Sequence, residues 1–206
     1  MQSKILVLVL ITILTASSQL NAQYAKQNTT YKKCFVGSTF AMLGNLLPNE
    51  KPDFAQLNIG YRITGRDVVS LELKTWRYFE SLGIPYGKSK NDPLENFPGY
   101  IREKGFALAY QHFWWKGLYT GIHVMSALQN FIDNDNKKID TGFQIFNTYR
   151  AGYHIKLFKG KFFIEPSIAV THRPYHTKMP ESFERMDNKW SKFFFGEPGL
   201  HFGFNF

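Results

Sequence analysis

At 206 residues, with 44% hydrophobic and 20% charged side chains, the chain is long enough for one domain with a sizeable core, and intrinsic disorder is excluded. Aromatic residues make up 17%, with 20 Phe and 11 Tyr, yet mean hydropathy is only -0.29. Apolar residues are therefore dispersed among polar ones, a mixture that no helical bundle needs, and the formal charge of +9 raises nucleic acid or an anionic membrane surface as partners.

The chain opens with Lys4, an apolar run from Ile5 to Leu14, and small or polar residues up to Leu20-Asn21-Ala22. That order predicts a secretory signal peptide over residues 1–22, and its apolar run is about half of the ~20 residues a spanning helix needs. No Cys follows the run directly, which argues against a lipoprotein, and the single Cys, Cys34, excludes an intrachain disulfide. An exported chain does not meet nucleic acid. An anionic membrane surface remains as a reason for the basic balance, beside a generally basic exterior.

After residue 22 no stretch is apolar for long enough to form a membrane helix; period-two alternation takes its place. The first strand is predicted at about Phe35 to Met42. In the second, Ala55, Leu57, Ile59, Tyr61 and Ile63 oppose Gln56, Asn58, Gly60 and Arg62; in the third, Val69, Leu71 and Leu73 oppose Ser70, Glu72 and Lys74. The fourth and fifth cover Phe106 to Phe113 and Leu118 to Gln129. In the sixth, Ile145, Tyr149, Ala151, Tyr153 and Ile155 oppose Gln144, Thr148, Arg150, His154 and Lys156. The seventh sets Phe162, Ile164, Ile168 and Val170 against Phe163, Glu165, Ser167 and Ala169, and the last sets Leu200, Phe202, Phe204 and Phe206 against Gly199, His201, Gly203 and Asn205. Such alternation is what a half-buried strand requires.

The connections are predicted to alternate in length. Gly44 to Asp53, Glu80 to Lys104, Asp133 to Asp140 and Arg173 to Ser191 read as long polar loops, whereas Thr64-Gly65-Arg66-Asp67, Trp115-Lys116-Gly117 and Lys159-Gly160 read as tight turns. Every long loop then lies at one end of an up-and-down meander. Lys159-Gly160 as a two-residue loop pairs Leu157 with Phe162, Ile155 with Ile164 and Tyr149 with Val170, which matches apolar faces and sets His154 opposite Glu165. At Trp115-Lys116-Gly117 the faces match only with a three-residue loop.

A signal peptide, eight amphipathic strands, alternating loop lengths and a final strand ending on Phe206 resemble the small eight-stranded outer-membrane β-barrels of Gram-negative bacteria. The resemblance implies an all-β, antiparallel, up-and-down transmembrane barrel over residues 34–206, preceded by a short periplasmic segment at 23–33. It implies a monomer in outer-membrane lipid including lipopolysaccharide, with Phe202, Phe204 and Phe206 as the strand read by the barrel-assembly machinery. Trp114, Trp115 and Trp190 would belong to the aromatic girdles at the membrane interfaces, or else to ordinary core packing.

The competing fold is a soluble lipocalin-type barrel with its apolar face turned inward around a ligand. Small residues are frequent on the more polar faces, which suits the narrow interior of an eight-stranded barrel better than a water-facing surface. That interior is expected to hold a polar network of Arg62, Glu72, Lys74, Arg150, His154, Lys156 and Glu165, its charges offset by pairing, as a structural filling rather than a pore.

Nothing in the sequence signals a catalytic, cofactor or metal site. Glu165 and His154 lack a nucleophile with a recognisable motif, His172 and His176 have helical rather than loop spacing, and Asp133-Asn134-Asp135-Asn136 lacks the Gly and distant Glu of an EF-hand. The expected function is a non-enzymatic structural or adhesive role through the outside loops, toward an unknown extracellular ligand. The alternative is a lipid A-modifying enzyme of deacylase or acyltransferase type, against which stands the absence of an H-x-S on a lipid-facing strand.

Overall fold

The computed structural model describes residues 32–47, 51–81, 88 and 93–206, so the expected signal peptide lies outside the described residues. The nine strands are β1 (Cys34–Thr39), β2 (Ala55–Arg62), β3 (Asp67–Glu80), β4 (Asn96–Trp115), β5 (Leu118–Asp133), β6 (Lys138–Tyr153), β7 (Ile155–Leu157), β8 (Phe162–His176) and β9 (Phe193–Asn205). Each pairs antiparallel with its neighbour. Because β9 also pairs with β1, and β8 pairs with both β6 and β7, the sheet turns back on itself as a ring. Among the described residues, helical structure is confined to one short α-helix, α1 (Glu181–Asp187), and three 3-10 turns.

Strand parity sorts the side chains as the alternation predicts. Gln56, Asn58, Glu72, Gln111, Gln144, Arg150 and Glu165 are buried inside the ring, while Leu57, Ile59, Leu71, Leu73, Leu108, Val124, Leu128 and Ile168 are exposed on its outer wall. The outer wall is thus apolar, and the interior mixes these polar residues with Phe35, Tyr119, Met125, Phe146 and Phe163.

The short turns hold the predicted register. Leu157 pairs with Phe162, Ile155 with Ile164 and Tyr149 with Val170. Lys159 (φ 57) and Gly160 (φ 79) are both left-handed, as a mirror-image hairpin turn requires. At the β4–β5 turn the register is also the expected one, Gln111 facing Gly121, but a different device secures it. The loop has two residues, Lys116 (φ 45) and Gly117 (φ 102), and an irregularity between Phe113 and Trp115 absorbs the third.

Three expectations at the opposite end are corrected. Strand β1 stops at Thr39, whose hydroxyl accepts the Ala41 N–H at 3.3 Å and starts the 3-10 turn Phe40–Leu46. The predicted loops Glu80 to Lys104 and Arg173 to Ser191 are partly strand, because β4 begins at Asn96 and β8 runs to His176, and the last strand starts earlier than its alternation indicates, at Phe193. The predicted loop Asp133 to Asp140 shrinks to the turn Asn134–Lys137, where Asp133 Oδ1 accepts from the N–H groups of Asp135 (3.0 Å) and Lys137 (2.8 Å). The alternation inverts here: Tyr78, Phe97, Ile101 and Phe131 point inward, and Arg77, Arg102 and Lys104 outward, so polar residues that read as loop belong to strands.

Into this apolar mouth α1 inserts Phe183. Its ring is fully buried, with Phe97 at 5.0 Å and Phe131 at 5.3 Å between centroids, and Met179 packs beside it. A two-pronged ion pair between Arg173 on β8 and Asp187 at the end of α1 fixes the helix to the wall. The loop end is therefore capped.

Candidate functional site

The interior is a stack of polar clusters, each built by inward-facing residues of neighbouring strands. Nearest the short turns, His154 Nδ1 bonds Glu165 Oε1 at 2.7 Å, between the rings of Phe113 and Phe163, and Gln111 Nε2 donates to Glu165 Oε2 at 3.4 Å. In the same region Arg62 donates to Asn205 Oδ1 at 3.1 Å and lies over the Phe35 and Phe113 rings. One level up, His123 Nδ1 meets Glu72 Oε1 at 2.9 Å. Arg150 donates to Ser167 Oγ (2.8 Å) and to Glu197 Oε1 (3.0 Å), while the Thr171 hydroxyl donates to the other Glu197 oxygen at 2.6 Å.

Higher still sits Glu103, fully buried and without a cationic hydrogen-bond partner. Its carboxylate accepts from Trp76 Nε1 (2.9 Å), Tyr78 Oη (3.3 Å), Gln129 Nε2 (3.3 Å) and Gln144 Nε2 (2.5 Å). Lys74 is spread over the Trp76 and Phe146 rings, 5.6 and 5.9 Å from their centroids.

Of the seven residues predicted as one network, the structure joins only His154 and Glu165 directly. Glu72 takes His123, Arg150 takes Glu197, Arg62 takes Asn205, and Lys74 takes aromatic faces. Lys156 has the inward parity but lies exposed at the short-turn mouth. Glu103 and Glu197 were missed because both fall in segments read as loop or left outside the last strand; no local signal marks them.

Between these layers a cavity of about 20 Å³ remains, lined by Glu72, Gln111, Tyr119, His123 and Arg150. It has room for about one water molecule.

No protein-family model matches this chain, and no curated protein matches its sequence.

Outside the ring, Trp114 and Trp115 are exposed beside the β4–β5 turn, with Trp114 Nε1 donating to Thr120 Oγ1 at 2.9 Å. Trp190 differs: it is half-buried just after α1, its backbone N–H bonded to the Asp187 carbonyl at 3.1 Å. Phe202 packs against Phe40 (4.8 Å) and Phe162 (6.2 Å), whereas Phe204 and Phe206 are exposed, and the Phe206 backbone exchanges two hydrogen bonds with Cys34. His172 stacks on Phe193 at 4.1 Å and His176 Nδ1 lies 3.0 Å from the Thr177 carbonyl oxygen, so the two histidines serve different neighbours.

One outward cluster escaped sequence reading. Asp67 accepts from Tyr110 Oη (2.7 Å) and Thr64 Oγ1 (2.5 Å), and His112 Nδ1 lies 2.8 Å from the same carboxylate, with Trp114 edge-on to the imidazole at 4.5 Å. The register that pairs Asp67 with His112 assembles it. It ties the β2–β3 turn to β4.

Proposed function

We propose that this chain is an integral outer-membrane β-barrel, non-enzymatic, in which the nine strands form eight staves because β6 and β7 continue one another across His154. One observation carries the reading: an outer wall of exposed Leu, Ile, Val and Phe surrounds an interior in which bonded Glu, Gln, Arg and His are buried among aromatic rings. A hydrocarbon surrounding makes that arrangement favourable, since closure satisfies the backbone groups and the wall meets lipid. A lipocalin-type barrel would need the opposite polarity.

In this reading the short turns face the periplasm, the loops and α1 face outward, and lipopolysaccharide meets the wall at the loop end. The filled interior and the α1 cap favour a structural or adhesive role for a monomer over conduction. The exposed final strand, Phe204 and Phe206 included, suits recognition by the barrel-assembly machinery.

Membrane fractionation with heat-modifiable gel migration tests this. We expect the chain in the outer-membrane fraction, resistant to alkaline carbonate, with faster migration before boiling than after. Recovery in the soluble periplasmic fraction, with no change on boiling, would end the proposal.

A further inference from the structure

The charged residues are distributed unequally between the two ends of the ring. At the loop end, Asp133, Asp135, Asp140, Glu95, Glu181 and Glu184 are interspersed with lysines and arginines. At the short-turn end every turn carries a cation: Arg66 between β2 and β3, Lys116 between β4 and β5, and Lys159 and Lys161 between β7 and β8, with Lys32 and Lys33 just before β1. Among the described residues of those segments Asp67 is the only acidic side chain, and its oxygens are taken by Thr64, Tyr110 and His112. One carboxylate there stands against six cations.

The placement of the cations narrows what they meet. Following the strand order, the β2–β3, β4–β5 and β7–β8 turns and the β1–β9 junction lie in successive sectors of the ring, so the cations surround it. A protein partner would need one patch; a plane of headgroups meets the whole circumference. Two of the ammonium groups also sit directly on outward aromatics. Lys116 Nζ lies 4.7 Å from the Trp115 ring centre, and Lys32 Nζ lies 5.5 Å from that of Phe204 while donating to the Asn205 carbonyl at 3.0 Å. Trp115, Phe158 and Phe206 are exposed beside them. An apolar wall that ends in aromatic rings topped by ammonium groups has the chemistry of a hydrocarbon-to-phosphate boundary, where lysine stems lie along apolar surface and their heads reach out.

We propose that this lysine–aromatic belt binds the phosphate groups of anionic phospholipids, in the leaflet on the short-turn side. The proposal rests on the transmembrane reading above. Its partner chemistry is a phosphodiester headgroup with net negative charge, in contact with Lys116, Lys159 and Lys161.

The test uses the full chain refolded into vesicles of phosphatidylcholine and phosphatidylglycerol, with native mass spectrometry of the lipids it retains. We expect retention of phosphatidylglycerol over phosphatidylcholine, reduced by about a hundredfold in the triple variant Lys116→Gln/Lys159→Gln/Lys161→Gln, given a contribution of about fivefold from each lysine near an anionic surface. The loop-end control Lys137→Gln/Lys138→Gln/Lys178→Gln should retain the lipid as the unaltered chain does. Equal retention by both variants, or an equal loss in both, overturns the belt. So does binding of the unaltered chain to isolated peptidoglycan without preference for phosphatidylglycerol, which would assign the cations to an acidic cell-wall polymer. Carbonate extraction separates the two levels: an integrated chain without lipid preference refutes the belt alone, whereas a chain stripped from the vesicles refutes the transmembrane reading together with it.

Discussion

His154 and Glu165 are joined 2.7 Å apart across the hairpin formed by β7 and β8, both nearly sealed from solvent. Each depends on the other, because a carboxylate inside the ring has few donors and an imidazole few acceptors. Glu165→Ala should destabilise the fold by roughly 3 kcal/mol, as removal of one member of a buried pair does. Glu165→Gln, which keeps an acceptor oxygen, should cost less. Urea midpoints in detergent decide the matter; equal midpoints for all three chains would show that the pair contributes little.

Glu103 has more at stake. Four donors converge on its carboxylate, and replacing it with Leu takes the acceptor from Trp76, Tyr78 and Gln144 at once and leaves Gln129 its 2.7 Å bond to Tyr78 Oη. With about 1–3 kcal/mol for each donor left unsatisfied, Glu103→Leu should fail to give the folded, fast-migrating species. Glu103→Gln should still give it with a lower midpoint. The ordering is the point at issue: a Leu variant more stable than the Gln variant would contradict it.

These two sites differ in how visible they were from sequence. His154 and Glu165 lie only a few residues from the Lys159-Gly160 turn, whose geometry propagates the register with little room for slippage, and both sit where polar residues face inward. Glu103 lies where the interior becomes apolar and the wall basic. Its neighbours Arg102 and Lys104 face outward and Ile101 inward, so the local pattern opposes the alternation that identifies strands elsewhere. Glu197 is hidden differently: the left-handed Gly196 and a register shift opposite Ala169 and Val170 break the period just before Leu200. Turn chemistry and alternation report the half of the ring that is uniform in polarity and lose the half where it reverses.

The interior also limits the glycines. A Cβ on Gly60 would fall within the ring of Phe35, which is itself held edge-on to Phe163 at 5.4 Å. Gly60→Ala should destabilise by about 1–3 kcal/mol through overpacking. Phe35→Leu should cost stability alone but recover part of the loss when combined with Gly60→Ala. Strict additivity in this double-mutant cycle would mean that the two positions do not share space.

Phe183 tests the cap separately from the ring. Phe183→Ala removes a ring packed on Phe97 and Phe131, a loss of about 3–5 kcal/mol for a large-to-small change. The effect should be local, because α1 contacts only the loop-end mouth. Proteolysis within residues 177–192 should accelerate while the strands remain resistant. Planar bilayers should still show no large stable conductance, since Glu72, Glu103 and Arg150 fill the bore beneath; reproducible nanosiemens steps would show that the helix alone had been blocking a pore.

Leu108 offers the sharpest division between a wall in lipid and a wall in water. It is 63% exposed, midway along β4, and lies in one outward row with Leu71 on β3 and Val124 on β5. On a protein surrounded by water, replacing so exposed a side chain changes stability by no more than about 0.5 kcal/mol. Near a bilayer midplane, arginine on a lipid-facing strand costs about 2–4 kcal/mol. Leu108→Arg should therefore lower folding stability in phospholipid vesicles by that larger amount, whereas Ile63→Arg, beside the β2–β3 turn and 54% exposed, should cost about 1 kcal/mol or less. A flat response at both positions, measured by reversible denaturant titration in vesicles, would remove the apolar wall as an argument for membrane residence.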